Sequence, residues 1–146
     1  MNLDVAAELC RRFEGFRSRP YLCPAGVATI GYGSTRYADG RAVQLGDAPI
    51  SQDDAEQLLQ HTLREEYLPG VLRACPVLAA HQVRCNAIVD WAYNLGVGRL
   101  QSSTLRRVVN AQDWPGAQEQ LMRWTRASGR VLPGLVRRRE AEAALL

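Results

Sequence analysis

The chain has 146 residues, of which 47% are hydrophobic and 23% are charged, and its formal net charge is +3. This length and composition are typical of an ordinary soluble globular protein with one domain and a substantial core. A net charge this small permits an anionic partner, but it does not select nucleic acid, a cell wall or a membrane surface. Because no basic run with interleaved aromatic residues occurs, the sequence argues against nucleic-acid binding.

The N-terminal segment, residues 1–9, carries Asp4 and Glu8 among its apolar residues. These charges interrupt the apolar stretch, so we expect neither a secretory signal nor a membrane anchor in this segment. If the target lies outside the cytoplasm, another agent must then release the protein to it.

The chain contains four cysteines, Cys10, Cys23, Cys75 and Cys85. They form no CxxC pair and have no histidine at ligand spacing, so the sequence predicts no metal site. Without an export signal we expect reduced thiols, three of them small buried residues. Cys23 is the exception because of the motif in which it lies.

The first 50 residues predict a helix followed by a small sheet. Apolar residues recur at helical spacing from about residue 3 to Phe13, and Gly15 then ends the helix, which places Glu14 on or just beyond its last turn. Glycines, prolines, aromatic and β-branched residues over 20–46 predict a twisted hairpin or meander, with a turn at Asp39-Gly40.

A second helix is predicted to connect this sheet to the rest of the chain. Ser51 is the expected N-cap, and the helix should run to about Tyr67, before Pro69-Gly70. Its apolar residues form only a narrow stripe, which is typical of a helix with much of its circumference in water. The stripe consists of Ala55, Leu58, Leu59 and Leu63.

From residue 70 onward the pattern is helical throughout. The widest apolar face predicts a central buried helix that Gly96 ends, and it consists of Val83, Ala87, Ile88, Trp91, Ala92 and Leu95. Three shorter helices should follow: one capped by Ser102 or Ser103 and reaching Asn110, one over 113–124, and one over 135–146.

These elements predict an α+β fold in a single domain over residues 1–146. A small lobe over about 13–50 should hold a short antiparallel sheet, and a connecting helix over about 51–68 should lead to a larger, all-helical lobe over about 69–146. The N-terminal helix is expected to join that larger lobe.

Glu14 is the leading candidate for a catalytic acid. A carboxylate at the end of a helix faces the negative end of the helix dipole, and burial beside Phe13 or Phe16 would add to that effect. Both influences favour the protonated form, which a general acid needs near neutral pH. The plain alternative is a solvated acid near a helix end.

A glycine-rich strand follows Glu14 and carries a threonine. Strand alternation places Thr29, Gly31 and Gly33 on one face and Ile30 and Tyr32 on the other. Two glycines on one face often mark the close approach of a ligand, so we expect this face to be cleared for one. Ile30 and Tyr32 should then pack behind it, toward the interior of the small lobe.

Glu14, eight residues, Cys23, five residues and Thr29 follow one another in an order that resembles the catalytic signature of the phage-type lysozymes, the endolysin family of glycoside hydrolases. That signature has Glu, then Asp or Cys, then Thr at these spacings. The resemblance runs from about Leu9 to Leu145. Two segments of the helical half carry it further: Trp91-Ala92-Tyr93-Asn94-Leu95-Gly96, and Gly134-Leu135-Val136-Arg137-Arg138-Arg139 with Glu142.

The resemblance implies a lysozyme-like fold and a muramidase that hydrolyses the β-1,4 bond between N-acetylmuramic acid and N-acetylglucosamine in peptidoglycan. Glu14 would protonate the glycosidic oxygen, while Thr29 would position the attacking water or the sugar. Gly31 and Gly33 would lie against the glycan, and Asn94 would either line the cleft or cap its own helix. One arginine, Arg130 or Arg138, is expected to pair with Glu14.

The resemblance also implies a context. The partner would be the glycan strand of the cell wall, with no metal or organic cofactor, no nucleic acid and no stable membrane association. We expect a monomer that remains in the host cytoplasm until a membrane pore releases it to the wall, where it causes lysis.

Cys23 leaves the mechanism open, because many members of the family have aspartate at this position. The thiol is a base, a nucleophile or a spacer, and Arg17 or Arg19 would lower its pKa toward a thiolate. Two other functions stay open as well. A lytic transglycosylase would cut the same bond and leave 1,6-anhydro ends, and a wall-binding module would have no catalytic activity.

Overall fold

Helices account for most of the chain, which a computed structural model describes over all residues from 1 to 146. The α-helices are α1 (Asp4–Glu14), α2 (Gln52–Thr62), α3 (Leu68–Ala74), α4 (Gln82–Leu95), α5 (Val97–Gln101), α6 (Thr104–Asn110), α7 (Trp114–Leu121) and α8 (Pro133–Ala143). The strands are β1 (Arg17–Leu22), β2 (Ala28–Gly31), β3 (Arg126–Ala127) and β4 (Arg130–Val131). The predicted α+β class is confirmed. No helix combines the length and the apolar character that crossing a bilayer requires.

Helix α1 ends where the sequence predicts. Gly15 follows its last residue with a φ of 73°, and the N–H of Gly15 donates to the carbonyl of Arg11. At the other end, the free N–H of Ala6 donates to Asn86 Oδ1 on α4 at 2.9 Å. Because this bond and an apolar face attach α1 to the core, Glu14 occupies a fixed helix end.

Strands β1 and β2 form an antiparallel pair in which Tyr21 lies opposite Thr29. The loop between them closes with a hydrogen bond from the N–H of Cys23 to the carbonyl of Val27, at 3.0 Å. Further along, the predicted turn at Asp39-Gly40 is confirmed, because the N–H of Gly40 donates to Tyr37 across it. The small sheet therefore presents the loop that carries Cys23 next to Thr29.

The connecting helix differs from its prediction at the C-terminal end. Ser51 caps α2 as expected, with its hydroxyl accepting from the N–H of Asp54. The helical path does not stop before Pro69, however, because one wide π-helical turn over 63–67 leads directly into α3. In that turn the N–H of Leu68 donates five residues back, to Leu63. A proline has no N–H and crowds the preceding turn, so this wider turn accommodates Pro69 without ending the helix.

Helix α4 is the centre of the main core. Every residue from Cys85 to Ala92 is buried, which confirms the predicted central helix, and Gly96 ends it. Val83 is 50% exposed, so its place on the predicted apolar face is wrong. The rings of Trp91 and Trp124 meet edge to face at 5.2 Å, which fits core packing for both.

The C-terminal third contains elements that the sequence pattern did not predict. Helix α7 ends at Leu121 rather than near 124, and the short hairpin of β3 and β4 follows it. Ser128 and Gly129, with φ values of 51° and 75°, make the two-residue turn of this hairpin. Helix α8 then begins at Pro133, two residues earlier than expected. Ser103 is confirmed as the cap of α6.

Candidate active site

A cleft of about 280 Å³ lies between the small sheet and the helices. Its lining comes from the sheet side and from the helical side, and it consists of Glu14, Tyr21, Cys23, Pro24, Thr29, Gly33, Ser34, Thr35, Arg36, Thr62, Glu66, Tyr67, Tyr93 and Asn94. A second cavity adjoins it beyond Glu14 and Asn94, which line both. Glu14 and Asn94 therefore contribute to the walls of both cavities.

Five of the six candidate site residues line this cleft, and Gly31 does not. Gly31 ends β2 with a φ of 66°, and this breaks the strand alternation on which the prediction rested. A Cβ on Gly31 would lie 3.1 Å from the Cβ of Ala55, so the residue faces α2. The expectation that Gly31 shares a face with Thr29 and Gly33 is wrong. Its glycine allows close packing of the sheet against the connecting helix.

The residues behind the strand divide between two cores. Ile30 packs in the small lobe with Val43 and Leu58, as expected. Tyr32 instead belongs to the main core, and its carbonyl accepts a 2.7 Å hydrogen bond from the hydroxyl of Tyr93. The expectation that Tyr32 points to the interior of the small lobe is therefore wrong, because the turn at Gly31 redirects the chain.

The Glu14 carboxyl is held at one oxygen. Arg138 Nη1 donates to Glu14 Oε1 at 2.6 Å, and the Glu14 side chain is 24% exposed. A Cβ on Gly33 would lie 3.3 Å from Oε2, which is tighter than an ordinary contact, so the glycine gives this oxygen room beside the cleft wall. The arrangement anchors Oε1 and leaves Oε2 at the cleft.

Arg138 is the arginine that pairs with Glu14, and Arg130 lies exposed on β4. The guanidinium places a positive charge directly against the carboxyl, from a residue 124 positions away in the chain. The expected pairing of Glu14 with one of these two arginines is therefore confirmed for Arg138.

Asp90 is a residue of the site that sequence reasoning missed. Both of its oxygens accept from Arg138, at 2.9 Å from Nε and 2.7 Å from Nη2. Burial alone would raise the pKa of Asp90, but the hydrogen bonds and charge of Arg138 lower it below the usual value. One signal for this role was present: an aspartate within the most apolar helix of the chain must have a partner.

A second group of hydrogen-bonded polar side chains lies next to the pair of Arg138 and Asp90, and it reaches the cleft at Asn94. Arg139 Nη2 donates to Glu142 Oε1 at 2.7 Å and to Asn94 Oδ1 at 2.9 Å. Asn94 thus lines the cleft. Its side-chain oxygen accepts a hydrogen bond from Arg139 and does not cap its own helix. Burial raises the pKa of Glu142 well above its usual range, with Asp90 adding to the effect.

Cys23 and Thr29 lie together on the opposite wall. The hydroxyl of Thr29 donates to the carbonyl of Val27 at 2.9 Å. The backbone N–H groups of Val27 and Ala25 lower the pKa of the Cys23 thiol. The predicted direction of this pKa change is confirmed, but its source is the loop itself rather than Arg17 or Arg19.

The model of the phage lysozyme family matches residues 11–142. The chain belongs to that family. It is 36% identical to an endolysin of Bacillus phage B103 over 99% of this chain, but it spans only 54% of that protein's length. It is 34% identical to an endolysin of Acyrthosiphon pisum secondary endosymbiont phage 1, over 94% of this chain and 91% of that protein.

Solved structures agree with the family assignment. The endolysin from Escherichia coli O157:H7 phage FAHEc1 superposes with a TM-score of 0.82 at 30% identity, covering 99% of this chain and 92% of the other. The predicted lysozyme-like fold is thereby confirmed. The roles of individual residues stay predictions, and they are taken up below.

We predict that Cys23 is the first thiol to react in the folded protein. Its pKa is lowered and its side chain is partly exposed, whereas burial raises the pKa of Cys75 and Cys85 to about 11 each. Iodoacetamide at pH 7, followed by peptide mass mapping, should label Cys23 at least about tenfold faster than either. In denaturant all four thiols should react alike. Equal labelling of the folded protein would contradict the prediction.

We predict that Glu142→Gln stabilises the protein progressively as the pH rises. The unfolded chain loses the Glu142 proton near the ordinary glutamate pKa of 4.5, whereas the buried residue retains it, so folding at higher pH must take up a proton. Glutamine avoids this cost and still accepts from Arg139. The melting temperature of the variant relative to wild type should rise from pH 4 to pH 8 by about 3 °C or more, which is about 1 kcal/mol for a domain of this size.

The exposed Glu119 provides the matched control. Glu119→Gln should leave the difference from wild type independent of pH. A constant difference for Glu142→Gln across the same range, measured by circular dichroism, would show that Glu142 is ionised in the folded protein.

Proposed function

We propose that this protein is an endolysin that hydrolyses the β-1,4 bond between N-acetylmuramic acid and N-acetylglucosamine in bacterial peptidoglycan. The observation that carries the proposal is the carboxyl of Glu14. One oxygen is anchored by Arg138 at 2.6 Å and the other lies beside Gly33 at the cleft. A carboxyl held in this way can carry a proton on its free oxygen and deliver it to a glycosidic oxygen in the cleft.

Cleavage begins as Glu14 Oε2 protonates the leaving oxygen. The sugar then acquires oxocarbenium character, and a water attacks from the side of Cys23 and Thr29. The Thr29 hydroxyl donates its only hydrogen to the carbonyl of Val27. Its lone pairs are therefore free to accept a hydrogen bond from that water. In this proposal Cys23 is ionised, a form that its lowered pKa favours, and the thiolate accepts the proton that the water loses as it adds to the sugar.

The cleft also suits a polymeric substrate. Its lining mixes hydroxyl groups, a carboxylate and the aromatic rings of Tyr67 and Tyr93, whose centroids are 5.1 Å apart. Gly33 and Asn94 line the cleft together with Glu14, and in this proposal they serve as glycan-binding residues. In this proposal the protein acts as a monomer on the wall, after a membrane pore has released it from the host cytoplasm.

We predict that Glu14→Gln abolishes lysis without loss of the fold. The amide retains the bond from Arg138 but supplies no proton, so the rate of clearing of a wall suspension should fall at least about 100-fold. Gln52→Glu, outside the cleft lining, serves as a control that should clear at the native rate. A Glu14→Gln variant that clears at the native rate would remove the catalytic assignment and favour a binding module.

Product masses complete this experiment. Hydrolysis leaves ordinary reducing ends, because water supplies the oxygen. A lytic transglycosylase leaves 1,6-anhydro ends, because the sugar's own 6-hydroxyl attacks. The thiol at Cys23, where many relatives have a carboxylate, is the feature that keeps this second reaction in consideration. Anhydro ends from the wild-type protein would overturn the hydrolase proposal.

We predict that the rate of clearing depends on the ability of residue 23 to accept a proton. If the thiol activates water, Cys23→Asp should keep most of the clearing rate and Cys23→Ser should lose about tenfold or more, since a hydroxyl is a far weaker base. Thermal melting of all three proteins separates stability from rate. Equal rates in wild type and both variants would make Cys23 a spacer.

A further inference from the structure

We propose that Glu66 is a substrate-binding residue of the cleft, whose carboxylate accepts hydrogen bonds from the hydroxyl and amide groups of an N-acetylglucosamine unit of the glycan. The inference rests on the proposed function, because it takes the glycan as the ligand. Glu66 lies in the π-helical turn over 63–67, and single turns of this kind often occur at functional sites.

The wide turn brings two residues to the cleft beside Thr62. Thr62, Glu66 and Tyr67 all line the cleft. In an α-helix the fifth residue after Thr62 would point about 140° away from it around the helix axis. A π-helical turn closes a hydrogen bond between residues five apart, here from Leu68 to Leu63, and so brings Tyr67 back over Thr62. The extra residue in this turn therefore gives the cleft both Glu66 and Tyr67.

The carboxylate of Glu66 is available to a ligand. Glu66 is exposed and takes part in none of the ion pairs of the chain. Arg36, the only arginine in the cleft lining, donates to the carbonyl of Gly40 at 3.0 Å and does not pair with Glu66. Both oxygens of Glu66 can therefore accept hydrogen bonds from a molecule in the cleft.

The neighbours of Glu66 indicate the chemistry of that molecule. A carboxylate only accepts hydrogen bonds, so it suits a ligand that is rich in hydroxyl and amide N–H groups. Burial raises the pKa of Tyr67 and the charge of Glu66 adds to this effect, so the phenol keeps its proton and can donate. The carboxyl of Glu14 lines the same cleft, and two acids disfavour a ligand group that is itself anionic.

A neutral sugar meets these requirements. N-acetylglucosamine carries hydroxyl groups and one amide but no charge, whereas muramic acid carries a lactyl group through which acidic peptides are attached. The charges of the cleft therefore favour N-acetylglucosamine at Glu66.

The test measures the binding of a tetrasaccharide of N-acetylglucosamine in which sulfur replaces the bridging oxygens. This linkage resists glycosidases, so the wild-type protein can be titrated with it by isothermal calorimetry. Glu66→Ala should raise the Kd about tenfold or more, because hydrogen bonds to a charged group contribute more than those between neutral groups. Glu66→Gln retains one acceptor oxygen and should raise the Kd by about threefold.

Glu65 provides the matched control, since it is an exposed glutamate of the same turn outside the cleft lining. Glu65→Ala removes the same charge and should bind the sugar as wild type does. Melting temperatures show that both alanine variants are folded. The inference is overturned if Glu66→Ala and Glu65→Ala have the same Kd, or if wild type does not bind this sugar.

A kinetic measurement separates binding from chemistry. On soluble wall fragments Glu66→Ala should raise KM about tenfold or more while kcat stays within about twofold, because the lost contact is made equally in the ground state and the transition state. A lower kcat with an unchanged KM would overturn the binding role. If Glu14→Gln clears walls at the native rate, the proposed function fails, while the titration with the uncut sugar still decides the role of Glu66.

Discussion

The ion pairs of Arg138 join the parts of the molecule on which both the fold and the site depend. The guanidinium lies on α8, one partner is the last residue of α1 and the other lies in the middle of α4. Removing one member of a buried ion pair typically costs about 3–5 kcal/mol, because a charge is left without a partner. The end of α1 is thus fixed by a residue 124 positions away in the chain, and the position of Glu14 is a property of the whole helical core.

A glycine and a hydrogen bond allow the wall of the cleft to pack closely against the Glu14 carboxyl. Gly33 has a φ of 89°, and any side chain there would meet both Glu14 and the hydroxyl of Tyr93. The same hydroxyl donates to the carbonyl of Tyr32, so the turn after β2 and helix α4 approach each other beside the Glu14 carboxyl. Arg139 extends the buried polar group to Asn94 at the cleft. The close packing of the turn after β2 and the buried charges of α8 therefore lie in the same region of the molecule.

Local rules in the sequence were sufficient for the elements and for most of the site. Helical spacing and the residues Gly15, Ser51 and Gly96 located the helices, since end caps act within a few residues. The failures have the opposite origin. Gly31 faces α2 and not the cleft because its φ is positive, and the spacing of residues does not reveal φ. The helix continues through Pro69 because a wide π-helical turn precedes the proline. Arg138, the partner of Asp90, is 48 residues away in the chain, so only the folded structure identifies it.

The two walls of the cleft hold their residues by different means. On the side of the core, Arg138 holds Oε1 of Glu14 at 2.6 Å, whereas the other cleft carboxylate, Glu66, lies exposed on the π-helical turn. The sheet wall contributes Cys23 and Thr29, whose hydrogen bonds to Val27 stay within their own loop and strand. The position of Glu14 therefore depends on long-range ion pairs of the helical core, while the positions of Cys23 and Thr29 depend on local backbone contacts of the small sheet.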